Sequence, residues 1–451
     1  MAPHRGSMSL IIEAVSLILM VGNKQMFLIK RRKDLPIYPG FSAFPGGKLT
    51  ELEQESKSHD LSSYTEKGLK PALMREISEE LNWNIPVNVM MSARYYGAST
   101  TPEFWPLRFC NHYLICQIDQ ALEFKVDKNE LCEGQWVSFD EFHQKDALGQ
   151  FLMVPPTRKA ILALPDFLAS PMASPPDLNS DYDVSHEVPC LEFVKNVWVL
   201  LPLSKTFPPA NRTNAFVLLD PDDVGHLLID PSPQDESEFI KLKNTLRRFQ
   251  IKKILITHHH PDHHQYAPDL ARELGVPIYL SKTTQVFLQK KYGENYLASL
   301  TVRLLKEGDW LAGHRIYEVP GHDEGQLALA PSNLSWFLAG DLIQTVGTVV
   351  IGGAEGDMAK YMASIQRVLD LNPHIVFPSH GIPMGGTEQI KLTLKHRLER
   401  QTQVLELYSA GKSNDEMLEI IYKGLRPELK KYALKTLEAH LIKLSNEGQL
   451  G

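Results

Sequence analysis

The sequence predicts an α/β protein of more than one domain: two α/β units in series, followed by a small helical domain. Three observations predict it. The chain has 451 residues, too many for one ordinary core. Two groups of metal-ligating side chains stand far apart, one between positions 46 and 80 and the other between 258 and 380. Between them, Leu164 to Pro189 holds Pro165, Pro171, Pro175, Pro176 and Pro189 among Ser, Asp and Asn, with no sustained hydrophobic period. The expected division is 1–164, a linker over 165–189, then 190–390, and a helical tail over 391–451.

Met8 to Gly22 is apolar behind Arg5, but Glu13 interrupts it and no small-residue cleavage site closes it. Lys24 to Arg32 follows with a second strand pattern, so the pair predicts a β-hairpin rather than a signal peptide. Leu152 to Leu164 reads as a helix closing the first unit, with Pro155 and Pro156 at its start. After the linker, Leu191–Leu203, Ala215–Asp220, His226–Asp230, Lys253–Ile256 and Ile278–Leu280 read as strands. Helices at Glu236–Phe249 and Pro268–Leu274 alternate with them, as in an αββα sandwich. In the tail, helical periodicity runs through Leu394, Leu398 and Val404, then Met417, Ile420 and Ile421, then Leu434, Leu437, Leu441 and Leu444. Ser413 and Asn414 cap the middle helix and Gly448 ends the last. Three short helices and a Gly-containing turn are similar to a winged-helix module.

Thr257-His258-His259-His260-Pro261-Asp262-His263-His264 follows directly on the apolar run Ile251 to Ile256. The alternating His258 and His260, then Asp262 beside His263, offer a ligand pair to each of two metals. A solvated histidine run is the plain alternative, disfavoured here because the cluster sits mid-chain at the end of a buried-type strand. Downstream, His322, Asp341 and His380 each close an apolar stretch. One metal then takes His258, His260 and His322, and the other Asp262, His263 and His380. Asp341 bridges, and a water in the open position acts as hydroxide. The pattern resembles the metallo-β-lactamase superfamily over roughly residues 190 to 390, its motifs being complete with Asp230 in Ile229-Asp230-Pro231. The resemblance implies that Asp230 orients a ligand instead of binding metal. His264 and Gln265 replace the small glycines that usually follow the Asp-His pair, a change that bears on the width of the pocket and not on the metals.

The other group comprises Phe44-Pro45-Gly46-Gly47-Lys48, Glu53 and Arg75-Glu76-Ile77-Ser78-Glu79-Glu80. On a helix Glu76, Glu79 and Glu80 fall at i, i+3 and i+4, so three carboxylates share a face, where a hard cation relieves their repulsion. A solvated acidic face is the plain alternative. The string resembles the Nudix box, Gly-x5-Glu-x7-Arg-Glu-x-x-Glu-Glu, with 21 residues between Glu53 and Arg75 where the family has seven; the extra 14 include Ser56 to Tyr64. The resemblance implies an α/β/α Nudix sandwich. It also implies that Glu76, Glu79 and Glu80 hold Mg²⁺ or Mn²⁺, with Arg75 orienting them and the loop of Gly46, Gly47 and Glu53 beside the phosphates. Asn82 stands where the box ends in Gly, and Asn tolerates the left-handed conformation needed there. Glu130, six residues before Trp136, lies where Nudix enzymes often draw another ligand or base.

The formal net charge of −7 argues against general affinity for nucleic acid or anionic membranes and leaves room for a small anionic substrate. From Lys391 to Gly451 there are 11 Lys plus Arg against 8 Asp plus Glu, a weak surplus for a phosphate-binding surface. RNA is therefore not favoured, and the tail is expected to serve packing or homo-oligomerisation. No run reaches the roughly 20 apolar residues of a membrane span. Cys110, Cys116, Cys132 and Cys190 form no close pair, which predicts buried reduced thiols and a cytoplasmic protein. Loops around Tyr96–Phe109 and Thr345–Met358 are expected to shape the pockets. The expected function is a bifunctional metal-dependent hydrolase. Its Nudix head cleaves an organic diphosphate with Mg²⁺ or Mn²⁺; its second head cleaves an ester, thioester or phosphodiester with two Zn²⁺, Fe or Mn²⁺. The alternative is an RNA-processing endoribonuclease whose Nudix domain is a ligand-binding sensor. The histidine string is similar to that of glyoxalase II thioesterases, whereas the tail is similar to that of the β-lactamase-like endoribonucleases.

Overall fold

The computed structural model describes residues 11–51, 68–105, 107–170, 173–220, 223 and 225–450, and divides the chain into compact units Met1–Asp181 and Tyr182–Gly451. Glu53 and the inserted Ser56 to Tyr64 lie outside the described residues.

In the first unit the elements run β1 (Ile11–Val21), β2 (Gln25–Arg31), β3 (Ser42–Ala43), β4 (Gly46–Lys48), α1 (Leu69–Leu81), α2 (Val87–Ser92), β5 (Arg94–Thr100), β6 (Arg108–Ile118), β7 (Leu131–Ser138), α3 (Phe139–Ala147) and α4 (Pro155–Ala169). The sheet order is β3-β2-β1-β6-β5, with β4 also on β1 and β7 on β2. Side chains alternate across β1 with the two-residue period of a strand. Val15, Leu17 and Leu19 pack with Leu69, Leu73, Ile77 and Leu81 of α1, whereas Ile18 and Met20 pack with Ile161, Leu164 and Phe167 of α4. One helix layer covers each face, the α/β/α sandwich expected. Each fully buried side chain of this kind contributes about 1.5–3 kcal/mol of transfer free energy.

The closing helix does not stop at Leu164: α4 runs to Ala169 with Pro165 inside it. An interior proline removes a helical hydrogen bond at about 3 kcal/mol. Burial of Leu164 and Phe167, the latter edge-on to Tyr96 at 4.7 Å, offsets that cost. Beyond the helix, Leu178 joins the first unit's core and Lys159 Nζ pairs with Asp181 Oδ2 at 2.6 Å. Val188 already belongs to the second unit's core, and Arg248 holds Glu187 at 2.5 Å. The proline-rich segment is thus apportioned between the units. Tyr96 is not in a loop but in β5, fully buried.

The second unit contains β8 (Cys190–Val194), β9 (Val197–Leu200), β10 (Ala215–Asp220), β11 (Gly225–Ile229), α5 (Glu236–Leu246), β12 (Ile251–Leu255), α6 (Pro261–His264), α7 (Ala267–Leu274), β13 (Ile278–Ser281), α8 (Lys282–Tyr292) and β14 (Val302–Leu305). There follow β15 (Trp310–Leu311), β16 (His314–Glu318), β17 (Leu327–Ala330), β18 (Phe337–Gly340), α9 (Met358–Leu371), β19 (Ile375–Pro378), β20 (Met384–Gly385), α10 (Glu388–Ser409), α11 (Asn414–Ile421) and α12 (Lys430–Asn446). The expected strand Leu191–Leu203 is a hairpin, turning at Asn196 in the left-handed region (φ 64°). One sheet has the order β14-β13-β12-β11-β10-β9-β8 and the other β15-β16-β17-β18-β19-β20. Phe216 of β10 meets Phe377 of β19 edge-on at 5.9 Å between them. Helices α5, α7 and α8 back the first sheet and α9 the second, giving the αββα layering.

The tail departs from three short helices, since α10 has 22 residues. A capping box between Ser413 and Glu416 starts α11, and Val404, Met417, Leu437 and Leu444 form a local core. Ala439 of α12 inserts into the core beneath the second sheet, and Arg397 donates to the Val349 carbonyl at 2.5 Å. The tail therefore packs as part of the second unit.

Candidate metal centres

The histidine-rich turn leaves the C-terminal end of β12, and Pro261 at the first position of α6 turns Asp262 and His263 back under it. His322 lies beyond β16, Asp341 directly after β18 and His380 just after β19, so strand ends deliver every candidate ligand. His258 Nε2 and His322 Nε2 lie 3.1 and 2.9 Å from His260 Nδ1. In a second cluster, Asp262 Oδ2 is 3.8 Å from His263 Nε2 and 3.5 Å from His380 Nε2. Asp341 stands between the clusters: Oδ1 is 3.4 Å from both His263 Nε2 and His380 Nε2, while Oδ2 is 3.5 Å from His322 Nε2.

The outward nitrogens settle the tautomers. Thr257 Oγ1 donates to Asp230 Oδ2 at 2.7 Å and so accepts from His258 Nδ1 at 3.1 Å. His263 Nδ1 donates to Asp230 Oδ2 at 2.8 Å, His322 Nδ1 to the Val350 carbonyl at 2.9 Å and His380 Nδ1 to the Arg212 carbonyl at 3.0 Å. In the neutral rings all four Nε2 atoms then turn lone pairs inward. His263 Nε2 and Asp341 Oδ1 are buried and make no hydrogen bond of good geometry. Converging buried lone pairs of this kind fit a cation between them. Burial and neighbouring imidazoles hold His258 well below the usual histidine range and bring His322 down to about 4, so both stay neutral. Burial also opposes charge on His263 and His380, yet Asp341 and Asp262 outweigh it and lift both. Without a cation, protons neutralise the carboxylates in its place.

His264 and Gln265 do not enter the centre. His264 Nδ1 pairs with the Tyr296 hydroxyl at 2.6 Å, and Gln265 donates to the Gln234 carbonyl at 3.3 Å. Several contributors carry little sequence signal. Thr213 Oγ1 donates to Asp262 Oδ2 at 3.3 Å, Asn214 ties the His380 loop through the Pro378 and Gly381 carbonyls, and Glu355 lies 3.8 Å from His260 Nε2. Asp323, which pairs with His259, adjoins His322 and could have been singled out on that ground. The carbonyls of Arg212 and Val350 could not.

Asp230 takes the orienting place that the resemblance implies: fully buried, in the left-handed region (φ 49°), it accepts from Thr257 N, Thr257 Oγ1 and His263 Nδ1. Asn tolerates that backbone but brings an amide N–H where acceptors are needed. Asp230→Asn is expected to keep the fold and lower metal affinity about 10–100-fold in a chelator competition. Unchanged affinity would remove Asp230 from the centre.

In the first unit, β4 places Gly46 and Gly47 against β1 and the α1 carboxylates. A Cβ on Gly46 (φ 143°) would lie 2.1 Å from the Val15 carbonyl oxygen, and one on Gly47 only 2.3 Å from the Glu76 carboxyl carbon. Only glycine lets that carboxylate rest on the backbone. Gly46 N donates to Glu80 Oε2 at 2.9 Å, yet burial, reinforced by Glu76 and Glu130, still pushes the Glu80 carboxyl up to about 8. Arg75 donates to Glu76 Oε1 at 2.7 Å, reaches Glu79 Oε2 at 3.4 Å and holds the Lys48 carbonyl at 2.9 Å. Among the described residues the three helix carboxylates are not drawn into one tight ligand cluster: Glu80 is buried, Glu76 half-buried and Glu79 exposed. Glu130 sits in an exposed turn and raises both Glu76 and Glu80 by its charge. Asn82 ends α1 in the left-handed region (φ 49°), as its place in the box requires.

With two such sets of donors on α/β scaffolds, the chain is a metal-dependent hydrolase. Residues 11–155 match the NUDIX domain, 209–380 the metallo-beta-lactamase superfamily and 413–450 the beta-lactamase associated winged helix domain. The chain is a Nudix domain fused to a metallo-β-lactamase superfamily domain and its winged helix. It is similar to the Beta-lactamase-like protein 2 homolog of Drosophila melanogaster, 27% identical over 250 residues that cover 50% of this chain and 80% of that protein. It is also similar to a hydroxyacylglutathione hydrolase of Bdellovibrio bacteriovorus, 24% identical over 218 residues, 47% of this chain and 77% of that one. In fold, a beta-lactamase domain protein from Burkholderia ambifaria aligns with a TM-score of 0.51 at 21% identity, covering 60% of this chain and 91% of its own.

Proposed function

We propose that the chain is a bifunctional hydrolase, with a thioester as the favoured substrate of the second head and an organic diphosphate as that of the Nudix head. The observation that carries it is the set of inward-facing Nε2 atoms, each fixed by an acceptor on its opposite nitrogen. His258, His260 and His322 would hold one cation and Asp262, His263 and His380 a second, with Asp341 between the two sets. Zn²⁺, Fe and Mn²⁺ all suit this nitrogen and oxygen donor set. Bound there, they supply Lewis acidity to the scissile group. The chain supplies preorganisation: the imidazoles are already aligned, so little rearranges as charge develops. Asp262, steadied by Thr213 at 3.3 Å, is placed to hold a water proton. In the Nudix head Glu76, Glu79 and Glu80 would hold Mg²⁺ or Mn²⁺ against the diphosphate, with Gly46 and Gly47 beside the phosphates, Glu130 adding a ligand and Arg75 aligning Glu76.

A small anionic substrate is favoured over RNA. The net charge is −7, and α12 spends Ala439 on packing against the hydrolase core. A thioester is favoured over other carbonyl or phosphoryl groups by the likeness to a hydroxyacylglutathione hydrolase. Among the described residues no helix is long and apolar enough to cross a membrane, and all four cysteines are free, although only Cys116 is fully buried. A reducing, cytoplasmic setting accords with this. Metal-loaded full-length protein should hydrolyse an acyl-glutathione thioester and leave a single-stranded RNA intact. Cleavage of the RNA without thioester turnover would reverse the assignment.

A further inference from the structure

Neither hydrolytic site uses Glu13, Cys110 and His112 of the first unit. Cys110 and His112 stand two apart on β6 and so project from the same face, and Glu13 on the parallel strand β1 is the register partner of Cys110. His112 Nε2 lies 3.0 Å from Glu13 Oε2 and 3.7 Å from Cys110 Sγ, and the three ligand atoms all fall within 4.8 Å of one another. The Tyr95 hydroxyl, 3.4 Å from His112 Nδ1, takes the proton on that nitrogen and leaves Nε2 facing the other two groups. His112 is 4% exposed while Cys110 and Glu13 are only partly covered, which leaves a cation a way in.

Distances separate a metal site from a mere polar network. Tetrahedral zinc, with Zn–S of ~2.3 Å and Zn–N and Zn–O of ~2.0–2.1 Å, sets S···N at ~3.6 Å and N···O at ~3.4 Å. The two separations from His112 are 3.7 and 3.0 Å, within a few tenths of an ångström of those values, and Cys110 and Glu13 offer ligand atoms within 4.8 Å of each other. We propose that Glu13, Cys110 and His112 form a third, mononuclear site for a borderline-soft divalent cation of the Zn²⁺ type, with solvent completing the coordination. The sulfur selects such a cation over the Mg²⁺ that suits the all-oxygen set on α1. Burial disfavours a proton on His112, yet Cys110 and Glu13 outweigh it and lift the imidazole to about 9, so a proton stands in the cation's place when none is bound. Binding releases that proton from the imidazole. The bound ion would cross-link β1 to β6 within the Nudix sheet.

Cobalt(II) replaces zinc at such sites and shows an intense near-ultraviolet charge-transfer absorption only when a thiolate binds it. No cysteine lies among the candidate ligands between 258 and 380, so the band reports this site alone. Full-length protein stripped of metal is titrated with Co²⁺. The band should rise to one equivalent per chain in the parental protein and in Cys132→Ser, and be missing from Cys110→Ser. In His112→Gln the apparent affinity should fall about tenfold or more. The parental spectrum requires no variant to fold: absence of the band while Co²⁺ loads the other centre overturns the proposal, as does its survival in Cys110→Ser.

Discussion

Asp341→Ala protein is expected to lose at least one transition metal per chain relative to the parental protein, and to turn over the second head's substrate more slowly by a factor on the order of 10² or more. Asp341 has one oxygen 3.4 Å from His263 and His380 and the other 3.5 Å from His322, so its removal takes a donor from both clusters at once. Burial opposes charge on this carboxyl, but His380 and His263 outweigh it and hold it well below the usual carboxylate range. The variant leaves those imidazoles without their counter-charge as well as without a ligand in common. Metal analysis beside a turnover assay reads the result; full occupancy in the variant would sink the bridging role.

Glu79→Gln with Glu80→Gln should abolish Mg²⁺-dependent diphosphate hydrolysis and leave hydrolysis at the 258–380 centre near its parental rate. Glutamine keeps the volume of glutamate, and its amide oxygen can still accept from Gly46 N. Burial raises the folded Glu80 carboxyl to about 8. As pH rises from the ordinary carboxylate range toward that value, the unfolded chain releases a proton that the folded one keeps, which lowers stability at neutral pH in the absence of a cation. The thermal midpoint of the cation-free variant is therefore expected to equal or exceed the parental value. Each unit has its own core, which is why the two activities should part. If both disappear from a protein that still folds and keeps its transition metals, the sites act as one and the two-headed reading fails.

The candidate ligand groups of the second unit were the most legible part of the chain because the histidine-rich turn, Asp341 and His380 each follow an apolar strand, so motif and element announce each other. His258 to His263, Asp341 and His380 needed no structure to be grouped. Carbonyl partners such as Arg212 and Val350 were not legible, since any residue has a carbonyl and only the path of the loop aims it. Helix α4 was read too short because local propensity stops at Pro165, whereas burial of Phe167 carries the helix on. The length of α10 was hidden for a different reason. Two of its buried positions are Arg397 and Gln401, paired with the Val349 and His440 carbonyls, so the hydrophobic period breaks where the packing does not. Glu13 and Cys110 lie 97 positions apart, and only the register of β1 against β6 makes them neighbours.

The docking of α12 reaches further than its own interface. Thr436 Oγ1 accepts from Ile351 N at 3.4 Å, and the preceding residue, Val350, offers the carbonyl that fixes the His322 ring. A candidate metal ligand is thereby braced through a single peptide unit by helix α12. The winged helix takes part in holding the hydrolase domain's candidate centre, since the path from Thr436 to His322 passes through one backbone segment.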